Sequence, residues 1–448
     1  TGTTEWHVNA DEPDAIDYNL DFGRNANIFD GSVPYRNSDH DPVIVGLQLG
    51  TELVVDTLTD EADGSVTDGD VSLRDAISAI DAGGTITFSV DGTIDLTLGE
   101  LLIDKGLTID GDNDDDGTAE ITIDAQGNSR VFNIDDGDNA NAQNVTLESL
   151  TITGGVASGT FPNNRGGGIY NQENLTLTNS TISGNSANSG GGIFNDGTAT
   201  VSNSTVSGNS ANFNGGGIFN SSGTANLSNS TVSGNSANSG GGIFNRFGTA
   251  NLSNSTVSGN SANNRGGGIF NNNGGDDTPT STLINSIVAD NTASQGNDLY
   301  NLAGFISGTI NASFSLIENN ADQINGTDNS NITDQDPQLD PAGLQDNGGV
   351  TQTIALQAGS PALDAGDNSQ IPTDTLDLDG DSDTSESIPF DQRGTGFDRI
   401  SNSTVDIGAF ELVTPTTNDA PVVDDQTFDG SSIPLVSGEV FAEPVASD

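Results

Sequence analysis

Residues 190–214 read GGGIFNDGTATVSNSTVSGNSANFN, and residue 215 begins the same phrase again with GGGIFN. The isoleucine after each glycine triplet recurs at Ile169, Ile193, Ile218, Ile243 and Ile269, at spacings of 24, 25, 25 and 26. Between the triplets runs Asn-Ser-Thr-(Ile/Val)-Ser-Gly-Asn, at 179–185, 203–209, 229–235 and 254–260. A degenerate copy occupies 285–291 and a weaker one 315–319. Such a period predicts a solenoid, where each coil rests on the next and one residue type recurs at one place per coil. The repeats hold neither a helical segment nor a Leu-x-x-Leu-x-Leu signature, which sets aside a leucine-rich horseshoe. The expected fold is all-β, a right-handed parallel β-helix with three short strands and three turns per coil.

Working outward from that phrase, the columns become visible. Leu177, Val201, Leu227 and Leu252 form one aliphatic column, and Ile182, Val206, Val232 and Val257 a second. The triplet isoleucines form a third, with Tyr170, Phe194, Phe219, Phe244 and Phe270 as an aromatic column beside it. Three asparagine columns predict three amide ladders: Asn171 to Asn271, Asn179 to Asn254, and Asn185 to Asn260. Asparagine and glycine also suit the left-handed backbone of sharp turns. With coils about 4.8 Å apart, residues 86–320 predict nine or ten coils and a rod of roughly 45 Å.

The 448 residues contain no cysteine, so neither a disulfide framework nor a cysteine metal site is available. Acids outnumber bases by 65 to 10, for a net charge of −55. Such a surface repels nucleic-acid phosphate and attracts divalent cations. No apolar run approaches the ~20 residues of a membrane span. Methionine is absent, even at position 1, and Asp448 falls inside what reads as a new module, so a segment of a longer protein is expected.

A solenoid needs covered ends. In residues 70–82, Leu73, Ala76, Ile77 and Ile80 share one helical face, with Ser72 or Asp70 as the candidate N-cap. This predicts a short helix over the N-terminal mouth. The surrounding segment, from Val54-Val-Asp-Thr through Gly69-Asp-Val-Ser-Leu-Arg-Asp-Ala-Ile to Ile86-Thr-Phe, resembles the CSLREA-type N-terminal region of bacterial surface β-helices, with Val71 in place of the cysteine. Gly359-Ser-Pro-Ala-Leu-Asp-Ala-Gly, Asp391-Gln-Arg-Gly and Val405-Asp-Ile-Gly-Ala-Phe-Glu resemble the C-terminal block of choice-of-anchor Q proteins. The triplet repeats resemble those of polymorphic outer-membrane adhesins. These resemblances cover roughly residues 50–412 and imply a secreted, surface-displayed β-helix.

β-Helices that cleave polysaccharides need paired carboxylates, or calcium-binding acids with a basic group. Residues 139–275 hold three acids, Glu148, Glu173 and Asp196, which share no place in the repeat, and Arg165, Arg246 and Arg265 have no carboxylate cluster beside them. The acids gather instead in two loops. Asp112, Asp114 and Asp116 with Gly117 match the first half of a calcium loop, with Ile123 where the bidentate glutamate belongs and Glu120 or Asp124 as substitutes. Asp377, Asp379, Asp381 and Asp383 form a second alternating run. Calcium is the expected ion at both; a solvated acidic loop is the plainer alternative.

Both histidines, His7 and His40, precede the rod. The stretch from Trp6-His-Val-Asn to Arg36-Asn-Ser-Asp39-His40-Asp-Pro-Val resembles the end of a bacterial extracellular nuclease of the endonuclease/exonuclease/phosphatase group. That resemblance implies His40 as general base or acid and Asp39 as its orienting or metal-binding partner, with magnesium as cofactor where the domain is complete. Fifty residues cannot form that sandwich, so the chain itself is expected to lack nuclease activity. Asn418-Asp-Ala-Pro-Val-Val resembles the start of a cadherin-like repeat.

The expected organisation is a nuclease-like remnant at 1–50, an N-terminal cap at 51–85, coils at 86–330, a C-terminal cap region with an acidic loop at 331–413, and a linker with the start of another module at 414–448. The expected role is a secreted or cell-surface structural or adhesive scaffold, calcium-stabilised, with itself (as filament or sheet) or surface glycans as partners. A spacer rod of a multidomain nuclease and a glycan-binding β-helix are the alternatives.

Overall fold

The computed structural model describes residues 51–413 except 68, 115–116, 139, 274–277 and 303–307. They wind into an all-β parallel solenoid, with sheets of eleven, ten, eight and six strands running along it. The register follows the repeat residue by residue: Ile169, Ile193, Ile218, Ile243 and Ile269 are successive neighbours in one sheet. Ile182, Val206, Val232 and Val257 are neighbours in another. All of these side chains lie in one buried core that extends from Val55 to Ile317. Each such side chain contributes about 1.5–3 kcal/mol.

The central coils have four strands rather than three. The additional sheet runs through Ser186–Ser189, Ser210–Asn214, Ser236–Ser239 and Ser261–Arg265. Its buried apolar residues in these strands are only alanines, Ala187, Ala211, Ala237 and Ala262. An alternation of alanine with serine and asparagine is a weak apolar signal, which is why the segment reads as a turn. The glycine triplet also has two jobs. Gly190 turns the chain at φ +67°, whereas a side chain on Gly191 would run into the carbonyl oxygens of Ser210 and Gly216 in the next coil.

Two of the three expected amide ladders form. Asn171, Asn195, Asn220 and Asn245 each donate from Nδ2 to the Oδ1 of the next, ending at Asn271, at 2.8–2.9 Å. Asn185, Asn209, Asn235 and Asn260 do the same, ending at Asn291. The third column differs: Asn179, Asn203, Asn229 and Asn254 sit at φ 45–50°. Their left-handed backbone turns the side chains off the axis, and Asn229 donates to Phe390 O instead. The hydroxyl next in sequence carries the ladder there: Ser180, Ser204, Ser230, Ser255 and Ser286 each accept from the backbone N–H of the preceding coil.

The aromatic column lies outside the main core. It forms its own buried cluster on the opposite face of the eight-stranded sheet, as period-two alternation after Ile requires. Tyr170, Phe194, Phe219 and Phe244 stack with planes within 9–13°, and Phe270 then turns to 78° against Phe244. Arg130 lies over Tyr170 and Arg165 over Phe194.

At the N-terminal end, Glu52–Val55 pairs with Gly84–Phe88, and helix α1 spans Leu73–Ala79. Ser72 is the N-cap and accepts from Asp75 N at 3.1 Å. Leu73, Ala76, Ile77 and Ile80 are buried in the core. Ile332–Thr333 adds an end strand to the ten-stranded sheet, and from there parts of the C-terminal cap region lie along the flank of the rod. Thr351 donates to Asn203 O, Thr205 to Gln352 O, Thr231 to Gln392 Oε1, and Ala409 N to Thr256 Oγ1. Asn285 exchanges two hydrogen bonds with Asp367. Among the described residues no helix is long and apolar enough to cross a membrane.

Candidate functional site

The first acidic loop joins Leu107–Asp110 to Ile121–Asp124. Asp112, Asp114 and Glu120 each place a carboxylate oxygen within 4.8 Å of the others. Glu120 thus comes to the acids, while Asp124 turns back to accept from Gln126 N at 2.7 Å. The loop's own donors engage these groups: Gly117 N on Asp112, and Asn113 N and Thr118 Oγ1 on Glu120. Asp116 lies outside the described residues.

Glu148, an isolated acid in the sequence, is the register neighbour of Asp110 one coil away. Burial, reinforced by the charges of Asp110 and Asp112, pushes its carboxyl up to about 7. Aligning Thr-Ile-Asp110 with Thr-Leu-Glu148 as equivalent coil positions would have found this pair. Glu173 likewise meets Asp135 and Asp136 within 4.8 Å. It is buried, and its two oxygens accept from Asp136 N and Gln143 N, pinning the loop between them.

The second acidic loop is a hairpin on the flank, closed by Asp374 N to Glu386 O at 2.8 Å and Ile388 N to Pro372 O at 2.9 Å. Leu378, Ile371, Ile388 and Val405 pack beneath it. Asp377, Asp379 and Asp381 converge within 4.8 Å, and so do Asp374, Asp379 and Glu386. Asp383 turns instead to Ser385, whose hydroxyl and N–H hold its carboxyl below the usual range. Burial raises Asp374, and the negative charges of Asp379 and Asp377 reinforce it. The sequence pattern missed Asp374 and Glu386 because they flank the alternating run and meet only when the hairpin closes.

Asp374 also lines a cleft of about 290 Å³ between this hairpin and the eleven-stranded sheet. Thr200, Asn226 and Asn251 form its floor, on successive coils, with Thr375 and Leu376 in the opposite wall. The arginines of the coils are placed over rings: Arg165 over Phe161 and Phe194, Arg246 over Phe247, Arg265 over Tyr300. Asp39 and His40 lie outside the described residues.

No family model matches the chain, and no curated protein matches it. Among solved structures, the chain is similar to one described as "Crystal structure of pectate lyase Pel9A", at 13% identity and a TM-score of 0.47, over 80% of this chain and 96% of that one.

Proposed function

We propose that this β-helix acts as a non-catalytic extracellular or cell-surface scaffold, a rod that spaces or displays neighbouring modules and presents polar faces for adhesion. One observation supports this reading above the others: the polar groups of the central coils hold coils to one another. The two asparagine ladders, the serine ladder, the Glu173 clamp and the stacking of Arg165 on Phe194 are all engaged in that way. The charge of −55 suits a soluble, self-repelling surface. The purified chain, supplied with calcium and polygalacturonate, is expected to release no unsaturated product. Turnover above a heat-inactivated control would overturn the scaffold reading.

The cleft supports a second reading, glycan binding. Its floor repeats amide and hydroxyl groups at the coil spacing, with Asn251 Nδ2 donating to Asn226 Oδ1 at 2.9 Å. On a glycan array, binding that survives Asn226→Ala together with Asn251→Ala would place the sugar elsewhere.

A further inference from the structure

The closed end of the flank hairpin differs from an ordinary solvated acidic loop. Asp374 is only 1% exposed. Its Oδ2 accepts from Leu378 N at 2.8 Å, while its Oδ1 is shielded from solvent and has no hydrogen-bond partner. Glu386 Oε1 is likewise shielded and unpartnered. These two side chains and Asp379 bring one carboxylate oxygen each within 4.8 Å of one another. Among the described residues the ion pairs engage Asp60, Glu100, Asp391 and Glu411, and none engages this group. Buried carboxylate oxygens are satisfied by a donor, a proton or a cation, and no side-chain donor reaches these two.

From this geometry we infer that Asp374, Asp379 and Glu386 form a divalent-cation site. The ligands are hard oxygens with a formal charge of −3 and no nitrogen or sulfur among them, which suits calcium. Calcium's requirement for six to eight oxygens leaves room for loop carbonyls, water and the adjacent Asp377 and Asp381. The ion ties Asp374 at the start of the hairpin to Glu386 at its end, and so closes the loop at its base. Because Asp374 also lines the cleft, bound calcium fixes one wall of that cleft against the floor of Thr200, Asn226 and Asn251. The convergent Asp377, Asp379 and Asp381 thereby become the outer rim of the site.

The test uses the full chain, stripped with a chelator, and calcium alone as the probe. A protease specific for acidic residues should cut within 377–386 at least tenfold more slowly at about 1 mM calcium, the range of extracellular modules. Asp374→Asn and Glu386→Gln should each abolish that protection, whereas Asp383→Asn, whose side chain is engaged by Ser385, should keep it. The readout is local, so binding at the first acidic loop does not imitate it. Equal cleavage of the wild-type chain with and without calcium overturns the site. So does protection that persists in both ligand variants. Should the variants fail to fold, the wild-type comparison decides alone, with equal protection by magnesium counting against a calcium site.

Discussion

Asp298 shows how one side chain ends a ladder. In the upstream coils the residue before the core isoleucine is glycine, because the next coil presses against it; Gly268, for example, faces the carbonyl oxygen of Asp298 itself. Asp298 immediately precedes Leu299–Asn301, the last strand of the eight-stranded sheet, where the triplet has decayed to Gly296-Asn297-Asp298. A side chain fits there, and its carboxylate occupies the place of the next asparagine. Oδ1 accepts from Asn291 N and Nδ2, and Oδ2 accepts from Asn319 N. The ionised carboxylate offers only acceptors to these donors, whereas an amide turned this way would set its NH₂ against the N–H of Asn319. Burial, opposed by these hydrogen bonds, raises the carboxyl from 3.8 to about 6. The folded state therefore holds the proton more tightly than the unfolded one, and the stability linked to Asp298 is full below about 3.8 and is lost as pH rises through about 6. Asp298→Asn should remove that dependence. Its stability difference from wild type, followed by denaturant unfolding, should change by on the order of 2–3 kcal/mol between those limits. A difference independent of pH would contradict this account. The decay of the triplet is visible in the sequence, but its electrostatic meaning needs the register of neighbouring coils.

Among elements, the strands were readable where large apolar side chains recur, and obscure where they do not. The Ile and Leu columns reveal three sheets directly, whereas the buried apolar residues in the central strands of the fourth are only Ala187, Ala211, Ala237 and Ala262. The aromatic column was visible too, although its face was not, because in Ile-Phe-Asn all three residues are buried and the usual one-sided alternation disappears. Lying outside the core, the rings depend on one another. Phe219 stacks on both Phe194 and Phe244, at 5.1 and 5.0 Å. Phe219→Ala should cost about 3–5 kcal/mol, the range for a buried ring, and should reduce the near-ultraviolet dichroism of the stacked set. A loss under about 1 kcal/mol would mean that the flanking rings close the gap. The αL asparagines carry a similar lesson: identical spacing does not imply an identical role, since φ decides whether a side chain points along the axis or away from it.

At the largest scale, the described residues form a rod with a brace. The two acidic loops were legible as composition, but their partners, Glu148 one coil away and Asp374 and Glu386 across a hairpin, depend on contacts distant in sequence. The motifs at 391–394 and 405–411 are the anchorage of the brace. Arg399 pairs with Glu411 at 3.1 Å, both fully buried, beside Asp406. Arg393 is held by Asp391 and lies between the rings of Phe397 and Phe410. Burial and the charge of Glu411 raise Asp406 to about 6. Arg399→Met removes the cation that faces these acids and should cost about 3–5 kcal/mol at neutral pH. On acidification through about 6, Asp406 takes up a proton and the penalty should shrink, which unfolding midpoints across that interval would show.

The brace also counts. Residues 351–352 meet the coil of Asn203 and Thr205, residues 390 and 392 that of Asn229 and Thr231, residue 409 that of Thr256, and residue 367 that of Asn285. Solenoids lengthen readily by duplicating a unit, since the ladders continue through any copy. Here an inserted coil would separate one docking point from the next by about 4.8 Å and leave the brace out of step. The flank segment is thus a ruler laid against the repeats, and it sets how many of them fit between the coil of Asn203 and that of Asn285.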